Sequence, residues 1–260
     1  MAELNGVPAD VGQLTALALV NYGHFTSMRV EDQRVRGLSL HLERLLRDCR
    51  RVFDTDLDPD RIRHLVRHAL TDVSQPVVVR VTVFDPALEL GNLGADAAPQ
   101  VLVTTRAAAH TPLPALRLQS AIYRRDMPDV KHVGLFGAVQ RRRVAQCNGF
   151  DDVLFTGTDA TISEAATSNV GFVNGDRIVW PRADCLPGVT MTLINQAHGE
   201  PATTVLITLG QLADVDAIFT TNAATGIRPV SVIDDVHWPA EHPALRVLRK
   251  AYTSVSAELL

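Results

Sequence analysis

The stretch AAAHTPLPAL, residues 107–116, limits most strongly how this chain can fold. It holds small residues and two prolines, and no Asp, Glu, Lys or Arg. Proline offers no backbone N–H and small side chains bury little surface, so such a stretch connects packed bodies. It predicts a small N-terminal domain over 1–108, a linker at 109–113 and a larger C-terminal domain over 114–260.

Before the linker, ELNGVPAD reads as a short strand turning at Asn5-Gly6. LTALALVNY and HFTSMRVED read as a hairpin parted near Gly23. LSLHLERLLRDCRRVF carries an apolar stripe through Leu42, Leu45 and Val52 and reads as a helix, with Ser39 as candidate cap. DPDRIRHLVRHAL is a second helix, capped by Asp58 with Pro59 at its first position. PVVVRVTVF and VLVTTR are strands. After the linker, strands are expected at LRLQSAIY, DDVLFTG, TSNVGFV, DRIVWP, TTVLIT, AIFTTN and GIRPVSVID. Helices are expected over 135–148, from Gly188 onward and over 241–256. Strands and helices mix without strict βαβ alternation, so the class is α+β in two domains.

Several functions are excluded by composition and spacing. A net charge of −4 and a pI near 6.1 argue against a nucleic-acid partner. No run of about 18 apolar residues marks a membrane span, and the first residues lack a secretory pattern. Cys49, Cys147 and Cys185 form no CxxC pair, which suits a reducing, cytoplasmic setting. There is no GxGxxG and no P-loop. His64 and His68 are four apart on one helix without an evident third ligand, so no metal site is expected.

Among 25 Lys and Arg residues, only Lys131 and Lys250 are lysines. Lys250 sits in the last turns of a terminal helix, where a solvated cation is comfortable. Lys131, in DMPDVKHVG, stands mid-chain. Arg stays protonated in proteins, whereas a buried Lys can lose its proton and attack a carbonyl. Position 131 is therefore a candidate for amine chemistry. In CLPGVTMTLI, Gly188, Val189 and Thr190 open a helical pattern after a turn, which suits a phosphate. In HLERL, Arg44 could reach a phosphate with two parallel bonds. Alone, each stretch is also an ordinary turn or helix surface.

Taken in order, HLERL, DVKHVGLFGAV, ISEAATSNVGFV, LPGVTM and FTTNAATGIRPV resemble the class IV aminotransferases. These are the fold-type IV pyridoxal-phosphate enzymes: branched-chain and D-amino-acid aminotransferases and aminodeoxychorismate lyases. The resemblance runs over about residues 16–235. It implies a homodimer with pyridoxal 5'-phosphate between the two domains. Lys131 matches the lysine that forms the Schiff base with the cofactor and shuttles the substrate α-proton. Glu164 matches the carboxylate at the pyridine nitrogen, which keeps the ring an electron sink. Arg44, Val189 and Thr190 match the phosphate site, Ala223 adds a backbone N–H, and Leu186 packs on the ring. For the substrate, Arg29 or Arg80 is expected to pair with the carboxylate. Phe25, Ser27 and Asn222 line the site, with Arg228 as a fallback cation.

The resemblance implies transfer of an amino group from an amino acid or amine to a 2-oxo acid. The alternative is a lyase that releases pyruvate and an aromatic amine. Phe136 stands where the aminotransferases often have Tyr, and Ala223 where a Thr is common. GHFTSMRV, Lys131-His132 and Asn222-Ala223 are lyase-like. The segment VGLFGAV lacks the Leu-Asn-Arg run common in those lyases.

Overall fold

The computed structural model describes residues 1–175, 177–198 and 203–260; Asp176, the first residue of DRIVWP, lies outside them. The class is α+β, as the pattern predicts. The chain divides into two compact units. The first is 1–109 with 130–134 and 257–260, and the second is 110–129 with 135–256. Lys131 thus packs in the first unit, although it follows the linker in sequence.

In the first unit, β1 (Ala2–Leu4) and β2 (Val7–Pro8) turn through Asn5 and Gly6, both at positive φ. That is the backbone twist a two-residue hairpin prefers. Next comes α1 (Val11–Val20), where the apolar run predicted a strand. The difference has a local cause. Asp10 accepts the Gln13 N–H while the Gln13 side chain accepts the Asp10 N–H, a capping box that starts a helix. None of the α1 residues is buried.

Then follow β3 (His24–Val30), β4 (Arg34–Arg36), α2 (Leu38–Phe53), α3 (Pro59–Ala69), β5 (Val77–Phe84) and β6 (Gln100–Ala107). Asp58 caps α3 and Pro59 opens it, as expected. Gly37, at positive φ, precedes α2. Ser39 bonds instead to the Glu258 carboxylate. The strands form an antiparallel sheet in the order β2-β1-β6-β5-β3. One face packs on α2 and α3 through Met28, Val30, Leu42, Leu45, Ile62 and Val79, among others.

In the second unit, β7 (Leu116–Ile122) and α4 (Phe136–Cys147) precede β8 (Asp152–Thr156), β9 (Ile162–Ala165), β10 (Ser168–Asn174) and β11 (Arg177–Pro181). They are followed by α5 (Val189–His198), β12 (Thr203–Val205), a 3-10 helix (Leu209–Asp214), β13 (Ala217–Asn222), β14 (Gly226–Ile233), β15 (Val236–His237) and α6 (Pro243–Ser254). The last strand, β16 (Ala257–Leu259), pairs with β4 in the first unit. Strands β10, β13, β14, β7, β8 and β9 pair in turn, and β9 returns to β10, which closes a barrel. Closure leaves the barrel strands no free edge. Each contributes to one apolar cluster, through Phe172, Ile218, Val230, Leu118, Leu154 and Ile162. A second cluster joins Ile194 of α5 and Leu245 and Leu248 of α6 to Trp180 and Phe219. No helix among the described residues is long and apolar enough to cross a membrane.

Candidate functional site

The first unit holds Lys131 by its backbone. β3 is the edge of its sheet, and residues 131–133 add to that edge. Phe25 N–H donates to Lys131 O at 2.8 Å and Val133 N–H to Gly23 O at 2.9 Å, with a bridge between His24 and His132. Gly23 permits the close approach of β3 to β5 on the other side, because a Cβ there would stand 2.5 Å from Val83 O. On the far side, Asp48 of α2 accepts the Lys131 N–H at 3.0 Å. The lysine amine stands 4.9 Å from the centre of the Phe25 ring. The Arg80 guanidinium stacks on the same ring at 3.6 Å.

Alternation along β3 sorts the rest. His24, Thr26, Met28 and Val30 are buried. Phe25, Ser27 and Arg29 point to the opposite face. Ser27 pairs across the strands with Arg80. Burial lowers the Arg80 guanidinium from its ordinary value. Its Nε donates to Thr82, and no ion pair is found for it among the described residues. Arg29 is already engaged, with Glu31 at 3.7 Å and Ala109 O at 3.0 Å.

On the buried face, Arg44 donates to Thr26 Oγ1 at 2.7 Å, and that hydroxyl lies 2.7 Å from His41 Nδ1. With Arg44 donating, the Thr26 proton points to His41, so His41 Nδ1 accepts. Burial, then the charges of Arg44 and Lys131, hold His41 neutral well below its ordinary range. His24 is fully buried, neither ring nitrogen is hydrogen-bonded among the described residues, and burial pushes its pKa down to about 3.

The His24 shift carries a pH dependence. The folded pKa lies below the unfolded value near 6.5, so His24 favours the folded state fully above about pH 6.5. That contribution is lost as pH falls toward 3. If His24 titrates alone, the loss is on the order of 4–5 kcal/mol. Thermal melts of His24→Leu and wild type between pH 7 and 4 check this. The substitution should flatten the acid limb, and an unchanged limb would assign acid unfolding to other groups.

The second unit carries the other candidates. Glu164, on β9, is buried and pairs with Arg125 at 3.4 Å. Its second oxygen accepts the Leu186 N–H at 3.4 Å. Asn169, its cross-strand neighbour on β10, donates to Leu186 O at 2.7 Å. A Cβ at Gly188 would overlap the Asn169 side-chain oxygen, so any larger residue before α5 would displace the Asn169 side chain. Burial and the Glu164 charge push the Cys185 thiol up to about 11, so it is no thiolate nucleophile near neutral pH.

Val189 and Thr190 open α5 and are buried. The hydroxyls of Thr190 and Thr221 are buried, with no hydrogen-bond partner among the described residues. Thr221 was legible only as the second Thr of FTTNAATG. Asn222 is spoken for: its oxygen accepts the Ala224 and Thr225 N–H groups, and its amide donates to Ser168. It shapes the turn containing Ala223. Arg228 donates to Pro114 O at 2.6 Å. Phe136 is 81% exposed.

The family model described as amino-transferase class IV matches residues 23–233. A branched-chain-amino-acid aminotransferase-like protein 2 from Arabidopsis thaliana is 25% identical over 150 residues. Those residues are 54% of this chain, and the chain spans only 27% of that relative. Among solved structures, a Legionella pneumophila protein that bears the name putative 4-amino-4-deoxychorismate lyase matches with TM-score 0.80 and 22% identity, over 96% of each chain. A branched-chain aminotransferase from Thermoproteus uzoniensis matches with TM-score 0.83 and 19% identity, over 97% of this chain and 93% of that one. A hypothetical aminotransferase from Mycobacterium tuberculosis in its PLP-bound form matches with TM-score 0.81 and 19% identity, over 98% of each. These likenesses establish the fold-type IV architecture.

Proposed function

Because the chain belongs to the class IV aminotransferase family, we propose that it is a pyridoxal-phosphate enzyme moving an amino group between an amino acid, or related amine, and a 2-oxo acid. The setting of Lys131 carries this reading. Its peptide is bonded on both sides, and its amine stands beside the Phe25 ring on which Arg80 also stacks. Such fixing suits a group that must meet a reacting carbon in one geometry.

The residues present fit the cofactor. Thr190 and Thr221 offer buried hydroxyls with no partner among the described residues, and Thr190 does so in the first turn of α5. Hydroxyls and helix-terminal N–H groups are what a phosphate takes. Arg44 supplies a nearly buried cation on α2, and Glu164 a buried carboxylate for a ring nitrogen. A neighbour of the same fold, the Mycobacterium tuberculosis protein, is PLP-bound.

Pyridoxal phosphate, when bound, supplies an electron sink for charge developing at the substrate α-carbon. Lys131 provides the amine that carries it, and takes and returns the α-proton. Glu164 holds a proton at the ring nitrogen, and Leu186 covers the ring. Arg80 takes the substrate carboxylate, with Ser27 opposite it. Asn222 acts through the turn it shapes, which presents the Ala223 N–H. Arg29 is less suited because Glu31 and Ala109 already hold it.

The second reading is an aminodeoxychorismate-type lyase, favoured by Phe136 in place of a tyrosine and by Lys131-His132. One experiment separates the two. An amino donor alone should bleach the visible band of the holoenzyme once per site, and a 2-oxo acid should restore it. Pyruvate release from aminodeoxychorismate without lasting bleaching would select the lyase instead.

A homodimer completes the proposal. The helix α1, VGQLTALALV, has no charged residue and buries none of its side chains within one chain. Val11 and Leu19 are mostly exposed, an apolar surface that a second copy would cover. Sedimentation equilibrium should return twice the chain mass. The free thiols of Cys49, Cys147 and Cys185 suit a reducing, cytoplasmic compartment.

A further inference from the structure

Asp48 has no part in the chemistry above, yet it is fully buried on α2. One carboxylate oxygen accepts the backbone N–H of Lys131 at 3.0 Å. The other accepts two bonds from Arg47, at 3.0 and 2.7 Å. A buried carboxylate is costly unless its charge and lone pairs are met. Here they are met by an adjacent guanidinium and by the peptide of the amine-bearing residue. A neutral oxygen could accept that N–H at a lower desolvation cost. The charged one makes a stronger bond.

The wider arrangement gives the bond a purpose. Asp48 follows Arg44 by four residues, so both lie on one face of α2. Arg44 donates to Thr26 on β3, and Phe25, next to Thr26, donates to Lys131 O. The contacts close a ring: Lys131 to Asp48, along α2 to Arg44, across to Thr26, along β3 to Phe25, and back to Lys131. Every member belongs to the first unit. A strand holds one side of the Lys131 peptide and a helix holds the other.

We infer that Asp48 is a positioning residue that acts through Lys131, fixing its peptide so that the amine projects from one point beside Phe25. The inference rests on Lys131 being the reactive amine, as proposed above. Displacing a reacting group by about 1 Å can lower a rate about 100-fold. Asp48→Ala should therefore slow donor-driven bleaching about 10- to 100-fold per loaded site. The donor concentration at half-maximal rate should change much less.

The test uses the full chain, with and without cofactor. Because the chain has only two lysines, [15N]lysine labelling yields two backbone amide signals, from Lys131 and Lys250. Asp48→Ala should make the Lys131 amide exchange at least about tenfold faster with water, since its acceptor is gone. Asp48→Asn keeps an oxygen acceptor and should recover most of the slow exchange and most of the rate. A purely structural Asp48 would lower the melting temperature but leave the Lys131 exchange and the rate per loaded site unchanged, and that result overturns the inference. Should Asp48→Ala fail to fold, Asp48→Glu keeps the charge and moves the oxygens by one methylene. A wild-type rate in that variant overturns the inference equally. Borohydride reduction of wild type separates the two ideas. Labelling anywhere but Lys131 sinks the reactive-lysine reading, whereas labelling of Lys131 with an unaffected Asp48→Ala sinks the Asp48 role alone.

Discussion

Lys131→Ala is expected to remove the visible absorbance of the holoenzyme and to lower turnover by at least about four orders of magnitude, as losing a covalent catalytic group does. The size follows from two tasks failing together. In the proposed reading, the amine that carries the cofactor would be gone, and so would the base that takes the α-proton. The fold should survive, because the contacts that hold position 131 are made by its N–H and C=O, which alanine keeps. Phosphate contacts should also survive, so cofactor would still bind without its covalent link. Lys250→Arg is the control and should behave as wild type, since Lys250 lies on α6 and keeps its charge. Absorbance spectra and bleaching rates of the two variants check the expectation. A coloured, active Lys131→Ala protein would end the assignment.

Glu164→Gln should retain cofactor but slow the reaction by roughly 30- to 1000-fold. That corresponds to about 2–4 kcal/mol for a lost electrostatic stabiliser. In its proposed role the carboxylate would matter most when charge spreads into the ring, so the loss would fall on the transition state. A second effect must be kept apart from the first. Glu164 pairs with Arg125 at 3.4 Å, both side chains being largely buried. Gln removes the negative charge from that pair, and breaking a buried pair typically costs about 3–5 kcal/mol of stability. The melting temperature should fall as well. Rates must therefore be measured per loaded site, below the transition. A wild-type rate with only a lowered melting temperature would make Glu164 a structural residue that holds Arg125 and the Leu186 peptide.

The sequence by itself determined the α+β class, most element positions and the family likeness. Those properties reside in local spacing. Asp58 and Pro59 start α3 because a cap and a pre-set φ act within one turn. PVVVRVTVF is a strand because β-branched residues suit extended backbone. The candidacy of Lys131 also needed no structure, since an amine can do what a guanidinium cannot. α1 was misread because LTALALV is apolar without a clear period, and its Asp10–Gln13 capping box is a signal that composition hid. Tertiary structure alone decided the rest. It closed the barrel through β9 and β10 and consumed Arg29 and the Asn222 amide in contacts of their own. It left Arg80 on the Phe25 ring without an ion pair among the described residues. It also brought Asp48 to the Lys131 peptide across 83 positions of chain. Periodicity reports which face of an element is buried but not what lies against it. The partners of a buried polar group are chosen only when distant segments pack together.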